Sequence, residues 1–296
     1  MSYPLATVTG MSLTSLLDDR HGPVREFFEA RLPNVRLMQD QWRAGGKCTI
    51  LPAEPVSWGL VGAAFDYRIR YLFTITPPER FVAADGANLA YPRLRSCFIN
   101  LSAGVNEFLD AHDPRARSLG HDEPELARYC YVLAMYESLY RAAVADSPLF
   151  TLSIGAAVSD QLGLAPHSDV ADLVALTEGS VRAFDGWFTK PVIANPTFAG
   201  SLDVGGADAD LILDHCLIDI KTTKQPGLDR KMIYQLVGYV LLDYDDQYEI
   251  NDLAFYSSRV PMLIRWPLNQ LIGDMSEGRE TVTGLRTGLR RALAQL

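Results

Sequence analysis

Two short apolar runs, residues 209–213 and 216–221, are separated by nothing but Asp214-His215, and each carries one carboxylate, Asp210 and Asp219. Apolar runs of this length bounded by turn residues suit β-strands. A two-residue connection suits a tight hairpin, although the glycine that such turns favour is missing here. The loop length then fixes the register. Leu213 faces Cys216, Ile212 faces Leu217, Leu211 faces Ile218 and Asp210 faces Asp219; one step further, Ala209 faces Ile220 and Asp208 faces Lys221. Side chains alternate between the faces of a strand, so Asp208, Asp210, Asp219 and Lys221 are expected on one face.

Like charges directly opposite each other destabilise a sheet. A hairpin that sets Asp210 against Asp219 therefore calls for a compensating cation, and a hard divalent ion such as Mg²⁺ suits oxygen ligands. Lys221, two residues beyond Asp219, is placed to orient or deprotonate a water, or to steady charge on a phosphate. Carboxylates, metal and lysine together suit hydrolysis of a phosphodiester by metal-activated water. Each part alone also fits a solvated strand edge or turn; their combination at hairpin spacing is what points to chemistry.

The rest of the chain sets the frame. Its 296 residues are enough for a sizeable core, and one domain over 1–296 is expected. Helices are predicted at 23–31, from near Gly62 within 58–73, at 125–145, at 168–188 with Ser168 as N-cap, at 228–242 and at 277–296. Strands are predicted at 253–257 and 262–266 besides the hairpin. Helices and strands in this order imply a mixed α/β or α+β class, a mixed sheet flanked by helices with a largely helical N-terminal elaboration. Tyr129, Tyr131, Tyr136 and Tyr140 have the spacing of helix packing rather than of base stacking.

Composition excludes several classes. Cys48, Cys97, Cys130 and Cys216 form no Cys-x-x-Cys pair, which gives no support to a zinc site or a cysteine-held cluster. The five histidines do not pair at metal spacing, no serine sits in a Gly-x-Ser-x-Gly setting, and no P-loop is present. No run of 18 apolar residues predicts a membrane span, and the first ten residues lack the features of a signal peptide, so the cytoplasm is the expected compartment. The net charge of −9 excludes a simple electrostatic sponge for DNA, though a local basic groove can sit inside a negative total. Lys224 and Lys231 are candidates for such backbone contacts, whereas Arg286, Arg290 and Arg291 read as solvated charge on the last helix.

At these residues the chain resembles the PD-(D/E)XK phosphodiesterase superfamily, and within it the RecB-like nucleases. Asp219-Ile220-Lys221 matches the Asp/Glu-x-Lys of that family, and Gln235-Leu236-Val237-Gly238-Tyr239 matches the Gln-x-x-x-Tyr that follows on a helix. Gly62-Ala63-Ala64-Phe65-Asp66 has the spacing of the family's Gly-x-x-x-His, with aspartate in place of histidine; a plain helix-surface aspartate beside Arg68 and Arg70 fits equally. The resemblance implies a restriction-endonuclease-like fold that hydrolyses DNA with Mg²⁺ or Mn²⁺. It implies that Asp210 and Asp219 hold the metal with the Ile220 carbonyl, that Lys221 assists the water, and that Gln235 and Tyr239 position substrate or lysine. Asp66 would complete the metal shell, Asp208 would contribute or replace Asp210, and Glu137 or Glu178 are alternatives to Asp66. No cysteine follows Cys216, so the iron–sulfur cluster of some relatives is not expected. A helicase or a defence or repair subunit is an expected kind of partner. Two other readings compete: a nuclease-like fold that no longer cleaves and serves as a nucleic-acid-binding or assembly subunit, and a phosphodiesterase acting on small nucleotides.

Overall fold

The computed structural model describes residues 12–46, 49–90, 92–117, 119–141, 146–223 and 227–296. The chain opens on nine helices among the described residues: α1 (Leu13–Asp18), α2 (Pro23–Arg31), α3 (Arg36–Gly45), α4 (Trp58–Phe73), α5 (Val82–Leu89), α6 (Arg93–Ala111), α7 (Glu123–Arg141), α8 (Val158–Leu162) and α9 (His167–Ala183). Strands β1 (Val192–Ala194), β2 (Leu211–Leu213) and β3 (Cys216–Lys221) follow, then α10 (Arg230–Leu242), β4 (Asp252–Ser257), β5 (Met262–Pro267), α11 (Leu268–Ser276) and α12 (Val282–Leu293). The class is α+β.

The five strands form one sheet in sequence order, antiparallel except for the parallel β3–β4 pair. The α10 crossover makes that parallel pair possible. The β2–β3 register is Leu211 with Ile218, Ile212 with Leu217 and Leu213 with Cys216, as the two-residue loop requires. Asp214 and His215 close it with φ of 49° and 63°. Both central residues of this hairpin turn are thus left-handed, a conformation aspartate tolerates better than most residues.

Both faces of the sheet are covered. Leu211, Leu213, Cys216, Ile218, Ile220, Ala254 and Tyr256 pack into one core with α4, α5, α6, α7 and α9. Ile212, Leu217, Leu253, Phe255 and Trp266 pack into a second with α1, α2, α3, α10, α11 and α12. In the first core, α5 crosses α7 so closely that a Cβ on Gly86 would stand 1.9 Å from the Tyr136 carbonyl oxygen, so only glycine fits. Two buried ion pairs brace the same layer: Arg68 holds Glu123 through Nε and Nη2 at 2.6 and 2.9 Å, and Arg259 holds Asp172 at 2.6 and 2.7 Å. No helix among the described residues is long and apolar enough to cross a membrane.

Local chemistry explains the departures from the sequence expectations. The helix expected near Gly62 begins at Trp58. That expected over 125–145 begins at Glu123 and is described to Arg141, with 142–145 outside the described residues. That expected over 168–188 is His167–Ala183, and its N-cap is Pro166. Ser168 therefore does not cap it; its hydroxyl donates to Asp169 at 3.2 Å. The helix at 228–242 starts at Arg230, because Asp229 caps it by accepting from the Met232 N–H at 2.8 Å. The tail predicted over 277–296 is α12 alone, set off from α11 by left-handed Glu277 and Gly278. Ala209 lies before β2, and β1 was not foreseen: three residues between Pro191 and Pro196 are strand only because β2 pairs with them.

Candidate active site

The site lies where β3 ends and α4 crosses it. Asp219 and Lys221, two apart on β3, share a face, and Lys221 Nζ sits 2.7 Å from Asp219 Oδ2. The buried Oδ2 meets no other donor in the site. Asp210, just before β2, bends its carboxylate across to β3, where Oδ2 accepts the Ile220 N–H at 2.6 Å. Asp66 comes from α4, the opposite helical layer. The lysine thus carries three aspartates around it, each of which pulls its proton affinity up.

Burial and mutual repulsion shape the charges. Burial raises the Asp219 carboxyl to about 6; Lys221 opposes the shift and Asp210 adds to it. Asp66 is held well above the carboxylate range, first by burial and then by Asp210, against the pull of Arg70. Asp210 is also raised by burial, against Lys221 and the Ile220 N–H. Burial alone would lower Lys221, yet Asp219, Asp210 and Asp66 together raise it, so it remains a cation.

From α10, Gln235 Nε2 donates to the Tyr239 hydroxyl at 2.8 Å and to Thr14 Oγ1 at 3.1 Å. Burial, then Asp219 and Asp210, hold the Tyr239 phenol protonated. The i, i+4 spacing of these two residues sets both on the acidic side of α10.

An open cleft of about 400 Å³ reaches Asp66 and Lys221, and is lined also by Trp58, Gly59, Gly62, Ile220, Thr222 and Thr223. Two glycines on α4 keep it open. A Cβ on Gly59 would meet nothing within 4 Å, and one on Gly62 would meet only Thr222 Cβ, at 3.8 Å. Trp58 is held from behind by the Arg259 guanidinium, 4.8 Å from its ring centre. Thr222 Oγ1 is buried at the cleft without a hydrogen-bond partner.

The expected residues fall into three groups. Asp210, Asp219, Lys221, Asp66, Gln235 and Tyr239 come together. Asp208 stands at the rim, exposed, where it bridges Thr197 rather than facing Lys221. Ile220 contributes its N–H, and its side chain belongs to the core. Glu137 is buried near Asp66, tied by the Tyr67 hydroxyl and by Arg141 Nε. Glu178 is exposed on α9 and takes no part. Lys231 pairs with Asp18 at 2.8 Å and borders a separate hollow with Arg20, Arg25 and Arg230. Lys224 lies outside the described residues. Arg70 was not foreseen as a site residue; it stands one helical turn from Asp66 and favours the charged forms of both Asp66 and Asp210. That i, i+4 spacing was the signal available for it.

Among the described residues no group of three or more His, Cys, Asp or Glu side chains forms a ready-made metal cage. The donor set nevertheless fits a hard cation that takes one or two carboxylates and fills its shell with water and phosphate oxygens. The repulsion among Asp66, Asp210 and Asp219, which Lys221 alone offsets only in part, is what such a cation would relieve. Compared with known proteins, the chain matches no family model, no curated protein and no solved structure.

Proposed function

We propose that the protein is a Mg²⁺- or Mn²⁺-dependent nuclease that hydrolyses DNA phosphodiester bonds, in the manner of the restriction-endonuclease-like fold its motifs resemble. One observation carries the reading: Asp210 and Asp219, brought side by side by the hairpin, share a buried cluster of charge with Lys221 and with Asp66 from another layer.

Asp210 and Asp219 would hold the ion, with Asp66 and the Ile220 carbonyl as further donors. The bound ion supplies Lewis acidity at the phosphate and an acidified water. Lys221, kept cationic by its neighbours, serves to orient the attacking water and to steady charge on the phosphate oxygens rather than to remove a proton. Tyr239, protonated and anchored by Gln235, fixes that side of the cluster. The open cleft admits a backbone phosphate between Trp58 and Lys221.

A non-cleaving, nucleic-acid-binding or assembly role is the second reading, favoured by the Asp219–Lys221 pair, which occupies the lysine when no ion is bound. One assay separates the two. Purified protein is incubated with single- and double-stranded DNA and Mg²⁺ or Mn²⁺, beside Asp219→Asn and Lys221→Ala. Cleavage by the wild type that both variants lose supports the nuclease. Absence of metal-dependent cleavage by the folded wild type on either DNA sinks it.

A further inference from the structure

The cleft at Lys221 does not stand alone. A second hollow, of about 540 Å³ between α4 and α7, shares Gly59 and Asp66 with it. A third, of about 710 Å³, shares Arg141 with the second and ends at Asp208. Three neighbouring hollows thus succeed one another from Lys221 past Asp66 and Arg141 to Asp208.

The third hollow, lined by polar groups such as Thr197, Ser201 and Asp208, also carries two large apolar side chains left in solvent: Tyr140 is 53% exposed and Leu202 is 86% exposed. Single exposed apolar residues need no explanation, but two that face one hollow do. Tyr140 also departs from its neighbours, since Tyr129, Tyr131 and Tyr136 are buried as helix packing requires.

The hollow is preformed. Ser201 Oγ accepts the Phe198 N–H at 2.8 Å and donates to the Ala207 carbonyl at 2.6 Å. Thr197 bridges Asp208, and the Tyr248 hydroxyl donates to the Thr197 carbonyl at 2.7 Å. A ligand entering here has little loop to order, which favours binding. At the junction with the acidic centre stands Arg141, its Nε turned to Glu137 and its side chain 62% exposed.

We propose that this third hollow is a nucleobase site, holding by its Tyr140 face the base of the nucleotide next to the phosphodiester bound at Asp210, Asp219 and Lys221. The inference rests on the nuclease reading and adds to it where the neighbouring base goes. An occupant with a flat aromatic part beside an anionic one matches a hollow that carries the exposed Tyr140 ring and joins Arg141. Stacking on an aromatic face accepts any base, so the site implies a base freed from pairing and little sequence preference.

The test uses a single-stranded DNA oligonucleotide carrying one 2-aminopurine, and Lys221→Ala as host so that bound oligonucleotide stays intact. Binding should quench the 2-aminopurine. Adding Tyr140→Ala to the host should remove the quench and weaken binding roughly tenfold. Tyr140→Phe should restore both, with thermal melts confirming that each variant folds. An abasic position in place of the 2-aminopurine should bind as weakly as the Tyr140→Ala protein does. If the wild type cleaves DNA while Tyr140→Ala changes neither quench nor affinity, the base site is overturned and the nuclease reading survives. A Tyr140-dependent quench without cleavage by the wild type upholds the base site and removes the nuclease. No binding and no cleavage removes both. If Leu202→Asp alters self-association and leaves oligonucleotide binding intact, the face is a protein contact and the base site is overturned.

Discussion

Lys221 Nζ lies 2.7 Å from Asp219 Oδ2, yet the Asp219 carboxyl stays at about 6. Burial outweighs the adjacent ammonium, and Asp210 adds its own repulsion. The cluster is therefore a place where the fold holds unfavourable charge, as functional sites often do.

Stability without metal should record that charge. The folded carboxyl of Asp219 is raised above its unfolded value of about 3.9. Between those values the folded state binds more protons, so this group's contribution is fully present below about pH 4 and is lost as pH rises through about 6. Asp219→Asn should then be the more stable protein at pH 8 in chelator, by about 1–3 kcal/mol, while losing cleavage. Urea unfolding at pH 5 and pH 8 reads this directly. An Asn variant that is weaker than the wild type at pH 8 contradicts the electrostatic account.

Added Mg²⁺ or Mn²⁺ should raise the melting temperature, because an ion that binds only the folded state stabilises it by about 2.7 kcal/mol at a hundred times its dissociation constant. The gain should shrink below about pH 6, where protons compete for Asp219. Asp210→Asn should lose most of it. A metal-induced shift of equal size at pH 5 and pH 8, or one intact in Asp210→Asn, argues that the ion binds elsewhere.

The hairpin was legible because its register depends only on loop length and alternation, both of which are written in residues 209–221. Asp210 and Asp219 followed from that register, and Gln235 with Tyr239 from helical spacing. Asp66 was reachable only through a motif resemblance, since nothing local to α4 says which sheet edge the helix will cross. Arg141 joins the site through the packing of α4 against α7, which no single-segment pattern contains, whereas Arg70 lies one turn from Asp66 on α4 itself. The same holds for β1, whose three residues are strand only by pairing with β2. Lys231 misled for a related reason: it shares a helix face with Gln235, but Asp18, far away in sequence, draws its ammonium aside.

The glycine face of α4 gives a test of access separate from chemistry. Gly59→Leu has room for its Cβ and improves helix propensity by up to about 1 kcal/mol, so the fold should be kept or slightly strengthened. Its side chain would project into the cleft lined by Trp58, Asp66 and Lys221. Cleavage should fall at least tenfold, with the metal-induced melting shift largely retained. Wild-type cleavage by Gly59→Leu would mean that substrate does not enter between Trp58 and Lys221.

The Arg68–Glu123 pair, by contrast, should matter to stability alone. Arg68 is buried and forked onto both Glu123 oxygens, and Nη1 donates to the Pro114 carbonyl. It is only two residues from Asp66, but it points to the other side of α4, into the helical layer. Arg68→Ala strands a buried carboxylate and should cost about 3–5 kcal/mol. Replacing both partners together, Arg68→Met with Glu123→Leu, removes the stranded charge and should recover most of that loss. Cleavage per folded molecule should stay close to wild type in the double variant, with unfolding curves and single-turnover rates measured on the same samples. A double variant that is fully stable but cleaves poorly would show that Arg68 acts on the centre through Asp66, and that the two faces of α4 are coupled.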